Sequence, residues 1–347
     1  MPSSFTPYFD ALPSMLGGKR KLAPIIFGEI AKAGYPSARG HVLLDPFMGG
    51  GSISIIGKAL GYRVLANDIS QRSEAIGKAL IENGTVHLSR EEVAQAMLAD
   101  PGDRYVPNPR RLPFQADARR LLVAMTAEAE RYESPAKRAL MRTLVVKSTV
   151  RIAMWGQLKS EGNRRIAERR YDRLTAGQAT WLKTATRPRR QILNEHRLLE
   201  RGIFANGEEN RMARGDVLDF LAGAEGDVAY LDPPYPGTVT YEDEYLGIDE
   251  LLAGRELEPD RSRFSAREGW RFLADVFDAA EHVPCWVLSL GNEAVGIEPV
   301  AELMRERDRD VDAQTVKYAH LLSQSGEEKL AENEEFLLVA RKVGVPA

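Results

Sequence analysis

A chain of 347 residues with a 44% hydrophobic fraction has material for one large core or two, and a net charge of −3 excludes a protein that is basic throughout. One cysteine, Cys285, excludes a disulfide framework and a thiolate zinc site, and the five histidines stand without metal-ligand spacing. No apolar run is long enough to span a bilayer and no signal peptide opens the sequence, so the expectation is a cytoplasmic, metal-independent protein without a membrane association.

In chain order, KRKLAPIIFGEIAKA (19–33) has the apolar spacing of an amphipathic helix and stops at Gly34. HVLLD (41–45) reads as a buried strand ending in Asp-Pro. The glycine-rich FMGGGS follows, then a helix in ISIIGKAL and a second strand in YRVLAND (62–68). A helix over 73–83 completes a βαβ pattern, which predicts a parallel sheet. From about 85 to 204 the pattern is helical and poor in strands, with one long apolar helix or two over 137–160. Residues 161–201 carry eleven Arg or Lys against five Asp or Glu, with Tyr171 and Trp181 among them. The α/β pattern resumes at 211 with a strand leading to Gly215-Asp216, a helix over 217–223 and a strand over 227–231. A helix over 270–282 and strands over 285–290, about 314–321 and 335–342 follow. The predicted organisation is an α/β unit of residues 1–84 and 205–347, interrupted by a helical, partly basic insertion of residues 85–204.

Chemistry-bearing residues fall after the strands. A glycine turn between strand and helix lets a ligand approach the backbone beside a helix N-terminus. Gly49 and Gly51 begin a G-x-G-x-x-G spacing, but Ser54 stands at its third position, and no Gly-Lys-Ser/Thr follows. A nucleoside without a pyrophosphate therefore suits Asp45–Gly51 better than a dinucleotide; the bland alternative is a simple connecting turn. Asp68, at the end of the second strand, suits a ribose diol, with a helix cap as the alternative and Ser70 competing for it. Asp216 suits an exocyclic adenine amine or, again, a helix cap. In Asp232-Pro233-Pro234-Tyr235 the prolines end the strand and hold the chain extended. A carboxylate and a free carbonyl accept hydrogen bonds there, and an aromatic face is offered for stacking. Acceptors without donors suit an amine that must lose a proton. Cys285 opens the apolar run CWVLSL, which marks it as a buried structural cysteine rather than a nucleophile.

Together these segments resemble the S-adenosylmethionine-dependent DNA amino-methyltransferases, in particular the adenine-N6 Dam-like (D12 class) branch. The matching segments are Leu16-Gly17-Gly18-Lys19, Asp45–Gly51, Ala66–Ile69 and Asp232–Tyr235, in that family's order, and the resemblance covers roughly 1–84 and 211–347. It implies a Rossmann-like sheet, mostly parallel with an antiparallel last strand, and a helical target-recognition insertion. It also implies S-adenosyl-L-methionine held by Lys19, Asp45, Pro46, Phe47, Gly49, Gly51, Asp68, Ile69, Asp216 and Asp232. A flipped-out adenine would stack on Tyr235 and give its N6 hydrogen bonds to Asp232 and the Pro233 carbonyl. Double-stranded DNA is the implied partner, and a cognate restriction endonuclease is compatible with it; oligomeric state stays open. Arg164, Arg165, Arg169, Arg170, Arg187, Arg189 and Arg190 are the candidates for gripping phosphates, against the alternative of a solvated helix face. The insertion and the residues after Tyr235 depart from the Dam pattern, which leaves the target sequence open. Cytosine N4 in DNA, a ribosomal RNA base and a DNA-binding relative without catalysis are the competing readings. A nicotinamide-dependent dehydrogenase is disfavoured by the broken glycine spacing.

Overall fold

The computed structural model describes residues 5–15, 17–37, 40–108, 111–112, 116–152, 187–234, 241–259, 262–265, 268–291, 295–317 and 334–344. Seven strands form one sheet: β1 (Val42–Asp45), β2 (Arg63–Asp68), β3 (Arg211–Arg214), β4 (Val228–Leu231), β5 (Cys285–Gly291), β6 (Arg309–Lys317) and β7 (Glu334–Lys342). Their order is β3-β2-β1-β4-β5-β7-β6. The first five run parallel, and β7 is antiparallel to both β5 and β6. The order reverses between β1 and β4, and the crevice beyond such a switch point is where open α/β sheets bind ligands.

Side chains alternate across the sheet, so successive strand residues enter different cores. Leu43, Val64, Tyr230, Val287 and Leu337 face one core, with the helices Ala23–Lys32, Ser52–Ala59 and Pro135–Ile152. Leu44, Ala229, Leu231, Trp286 and Leu338 face the other, closed by the helices Leu273–Ala279 and Ile297–Arg305. The helices Arg90–Ala96, Ala116–Ala129, Pro135–Ile152 and Pro188–Leu199 join the first core rather than forming a core of their own. No helix of the described residues is long and apolar enough to cross a membrane.

Several boundaries differ from expectation for identifiable reasons. The helix expected from residue 19 starts at Ala23, because Pro24 belongs in a first turn and the Lys19 carbonyl accepts only turn bonds from Leu22 and Ala23. The helix expected over 73–83 is an α-helix, Gln71–Ile76, continued by a π-helical turn, Gly77–Glu82. The strand expected over about 314–321 is β6, Arg309–Lys317. It is an edge strand whose Asp310, Asp312 and Thr315 are exposed, so it carries no apolar run to mark its start. The helix expected over 270–282 spans only Leu273–Ala279, after a 3₁₀ turn at Gly269–Phe272.

Candidate active site

A cavity of about 360 Å³ opens beyond the C-terminal ends of β1, β2 and β4. Asp45, Pro46, Phe47, Gly49, Asp68, Ile69, Asp216, Asp232, Pro233, Pro234 and Lys19 all line it. Gly51 does not: it sits behind the wall, in left-handed conformation (φ 78°), as the N-cap of the helix Ser52–Ala59. A Cβ there would meet Ile76, Leu12 and Met48, and the positive φ itself calls for glycine. Gly49 is also left-handed, at φ 52°. Tyr235 lies outside the described residues.

Backbone and side-chain bonds fix the loops. Asp68 accepts from the Gly49 N–H at 2.8 Å through Oδ2 and from the Ser70 N–H at 2.9 Å through Oδ1. Each oxygen keeps a second lone pair for a ligand. Ser70, not Asp68, caps the following helix. Asp216 caps the helix Val217–Gly223, accepting from the Leu218 N–H at 2.8 Å, and is exposed at the cavity wall. Asn67, which falls in the matching segment Ala66–Ile69 but was given no role from sequence, is buried and donates from Nδ2 to the carbonyls of Pro46 (3.3 Å) and Gly215 (3.2 Å). One amide thus ties the loops after β1 and β3 to the end of β2.

Asp45 is buried, and Ser54 Oγ donates to its Oδ2 at 2.6 Å. Its Oδ1 has no hydrogen-bond partner among the described residues. Burial, with the charges of Asp232 and Asp68 nearby, raises its pKa to about 7. A buried carboxylate oxygen without a donor, in a cavity wall, is a place for a cationic group of a ligand.

Asp232 stands at the end of β4. Lys19 Nζ lies 2.7 Å from Asp232 Oδ1 and 3.3 Å from Oε1 of Glu335, and it donates to the Gly17 carbonyl at 3.3 Å. Lys19 and Glu335 are 3% and 1% exposed, while Asp232 keeps 18% of its side chain open, so the base and one acid of this group are out of water and the other acid is partly open. Burial raises the pKa of Asp232 to about 6, Lys19 opposing the rise and Glu335 adding to it. Burial lowers the affinity of Lys19 for its proton, yet the two carboxylates outweigh that and hold its pKa well above the ordinary value. Ser289 Oγ donates to Asp232 Oδ1 at 3.4 Å and shares a 2.7 Å bond with the Tyr230 hydroxyl. Ser289 has one hydrogen, so when it is spent on Asp232 the tyrosine donates in the shared bond.

Sheet periodicity explains the convergence. Tyr230 pairs in register with Val287, Ser289 lies two residues on from Val287, and Glu335 lies two before Leu337. All therefore point to the same face. Ser289 could have been found as the polar residue inside an apolar strand; Glu335 gave only the weaker sign of an acid at a strand start.

The remaining walls are aromatic and charged. Phe47 packs edge-on against Phe264 (5.6 Å between ring centroids), Phe264 against Phe272 (5.0 Å), and the Arg263 guanidinium lies 4.7 Å over Phe272. Arg72 is paired with Asp249 and lies 5.0 Å over the Tyr245 ring. Arg187, Arg189 and Arg190 are exposed at the start of the helix Pro188–Leu199, with no carboxylate partner among the described residues. Arg164, Arg165, Arg169 and Arg170 fall outside the described residues. Cys285 is buried in β5, burial pushing its thiol up to about 12, as expected of a structural cysteine. Among the described residues no group of three His, Cys, Asp or Glu side chains could hold a metal ion.

Residues 16–142 match the family model of D12 class N6 adenine-specific DNA methyltransferases. Over 335 residues the chain is 23% identical to the Type II methyltransferase M2.HphI of Haemophilus parahaemolyticus, covering 93% of this chain and 96% of that protein.

Proposed function

We propose that the cavity binds S-adenosyl-L-methionine and a flipped-out adenine side by side, a reading supported by the match of residues 16–142 to the D12 class N6 adenine-specific DNA methyltransferase family model. The observation that carries this reading is that Asp232 shares one cavity with Asp45, Gly49, Asp68 and Asp216. When bound, S-adenosyl-L-methionine supplies an electrophilic methyl group on a sulfonium. The ribose hydroxyls would go to the free lone pairs of Asp68, and the cofactor's adenine amine to Asp216, beside the exposed Ile69. The unpartnered Oδ1 of Asp45 fits the methionine ammonium, and the Gly49 turn lets the cofactor lie against the backbone. Lys19 has its ammonium on two carboxylates, so we assign it to organising Asp232 rather than to meeting the methionine.

The target amine must lose a proton once it is methylated. Asp232 and the Pro233 carbonyl accept its hydrogen bonds, which hold its lone pair away from the ring. Tyr235 would carry the base on its face. Prolines at 233 and 234 fix the acceptors before the base arrives, so positioning and preorganised electrostatics supply the rate. Arg187, Arg189 and Arg190, with Arg164, Arg165, Arg169 and Arg170, would grip phosphates of double-stranded DNA. The similarity to a Type II methyltransferase supports site-specific modification, and a cognate restriction endonuclease is the matching partner.

The test is to incubate the purified protein with S-adenosyl-L-methionine and unmethylated DNA, with ribosomal RNA in parallel, then digest to nucleosides and identify the products by mass. N6-methyladenine from DNA is expected. N4-methylcytosine, or product in RNA alone, would overturn the substrate assignment.

A further inference from the structure

We propose that Glu335 is a positioning residue for methyl transfer, acting through Lys19 to set the proton affinity of Asp232. The inference rests on the assignment of Asp232 as acceptor of the target amine. Glu335 does not touch the reacting atoms; its carboxylate meets Lys19 Nζ at 3.3 Å, on the ammonium that also meets Asp232 at 2.7 Å. Its place is built by the topology. β7 runs antiparallel beside β5, so its first residues lie at the end of the sheet where the parallel strands finish, with Glu335 opposite Gly291.

Electrostatics give the position its use. Lys19 and Asp232 alone would make a neutral pair, with Asp232 as the only carboxylate on the ammonium beside its bond to the Gly17 carbonyl. That arrangement makes Asp232 a poor proton acceptor. A second carboxylate draws the ammonium partly away and brings the three-residue group to a net charge of −1. The surplus charge favours the reaction. As the N–C bond forms, the methyl–sulfur bond would break with its electron pair left on a neutral thioether, and the positive charge would pass to the amine. The amine's proton must then go to Asp232 and on to solvent. The lost hydrogen leaves as a proton, so no oxidant or reductant is needed. Among the described residues, the charged and titratable groups near Asp232 are Lys19 from the N-terminal segment, Asp45 from β1, Tyr230 from β4 and Glu335 from β7. Of these, only Glu335 stands outside the set that the family resemblance marks or that adjoins Asp232 in the chain.

The test is the pH dependence of kcat and KM for the parent, Glu335→Gln and Glu335→Asp. Removing a negative neighbour lowers the proton affinity of Asp232, so in Glu335→Gln the acid limb of kcat moves to lower pH. Above that limb kcat falls roughly ten- to hundredfold, the scale of a misplaced group at a reacting centre. The deficit narrows as pH falls, and KM for S-adenosyl-L-methionine stays within a few-fold of the parent. Glu335→Asp keeps the charge but retracts it, and gives an intermediate limb and kcat. A merely structural role would lower kcat without moving the limb. If Glu335→Gln does not fold, as judged by thermal unfolding, Glu335→Asp carries the test alone. An acid limb that stays with the parent in the folded variants overturns the inference. A parent without any methylated product overturns the reading beneath it instead.

Discussion

Asp45 is held in a place where its charge is costly. Its folded pKa of about 7 stands above an unfolded value of about 4, so the folded state binds the extra proton between those limits. The stability this gives is complete below about pH 4 and is lost as pH rises to about 7. Asp45→Asn should therefore flatten that slope and raise the stability of the cofactor-free protein at pH 8, by up to a few kcal/mol, in denaturant titrations at several pH values. The same change should weaken cofactor binding by removing the unpartnered anionic oxygen. At Asp232 the expectation is kinetic. Asp232→Ala should keep DNA binding and lower kcat about a hundredfold or more in the nucleoside assay. In the parent, kcat should decline below about pH 6, where Asp232 takes up a proton. A variant that methylates at the parent rate would move the chemistry elsewhere.

The elements that hold these residues are joined by buried charge. Lys147, on the helix Pro135–Ile152, meets Glu195 of the helix Pro188–Leu199 at 2.8 Å, and its ammonium donates to the carbonyls of Asp10 (2.6 Å) and Leu12 (3.3 Å). It thus fastens two helices from between β2 and β3 to the segment that leads into Gly17-Gly18-Lys19. Removing one partner of a buried pair leaves the other uncompensated, although Gln191 still donates to Glu195 at 2.6 Å. Lys147→Met should cost about 3 kcal/mol in chemical unfolding, and Lys147→Met with Glu195→Leu should recover part of it. Elements with punctuation were legible in the sequence. Asp-Pro after β1, the glycine turn, and two prolines after β4 each fix a boundary by chemistry that neighbours cannot override. β6 was not legible in this way: one of its sides faces solvent, and only its pairing with β7 defines it.

For the molecule as a whole, net charge gives no hint of a nucleic-acid partner, whereas the distribution of charge does. Arg189 and Arg190 lie exposed at a helix start, where the helix dipole does not favour them, and among the described residues no carboxylate pairs with them. Charge reversal at both, Arg189→Glu with Arg190→Glu, should weaken DNA binding at least tenfold at low salt, equally for cognate and unrelated sequences. It should also flatten the dependence of log affinity on log salt by roughly one unit for each phosphate no longer neutralised. Unchanged binding would return these residues to the solvated surface. The loops that bear the residues proposed to hold the cofactor could be read locally, each from a few adjacent positions. The partnership of Lys19, Asp232 and Glu335 could not, because it exists only after a strand from late in the chain has been threaded between β5 and β6.

That threading also sets a clock. A nascent chain emerges N-terminus first, so Lys19 and Asp232 leave the ribosome well before Glu335 does. The central strand β5 must wait with one edge open until β7 arrives to fill it. Until then Lys19 and Asp232 have each other but lack their third member. A translation product that stops short of β7 would carry all four segments of the resemblance, through Tyr235, and still lack Glu335 beside Lys19. Newly made molecules would hold the full three-residue group only once β7 has been made and paired with β5.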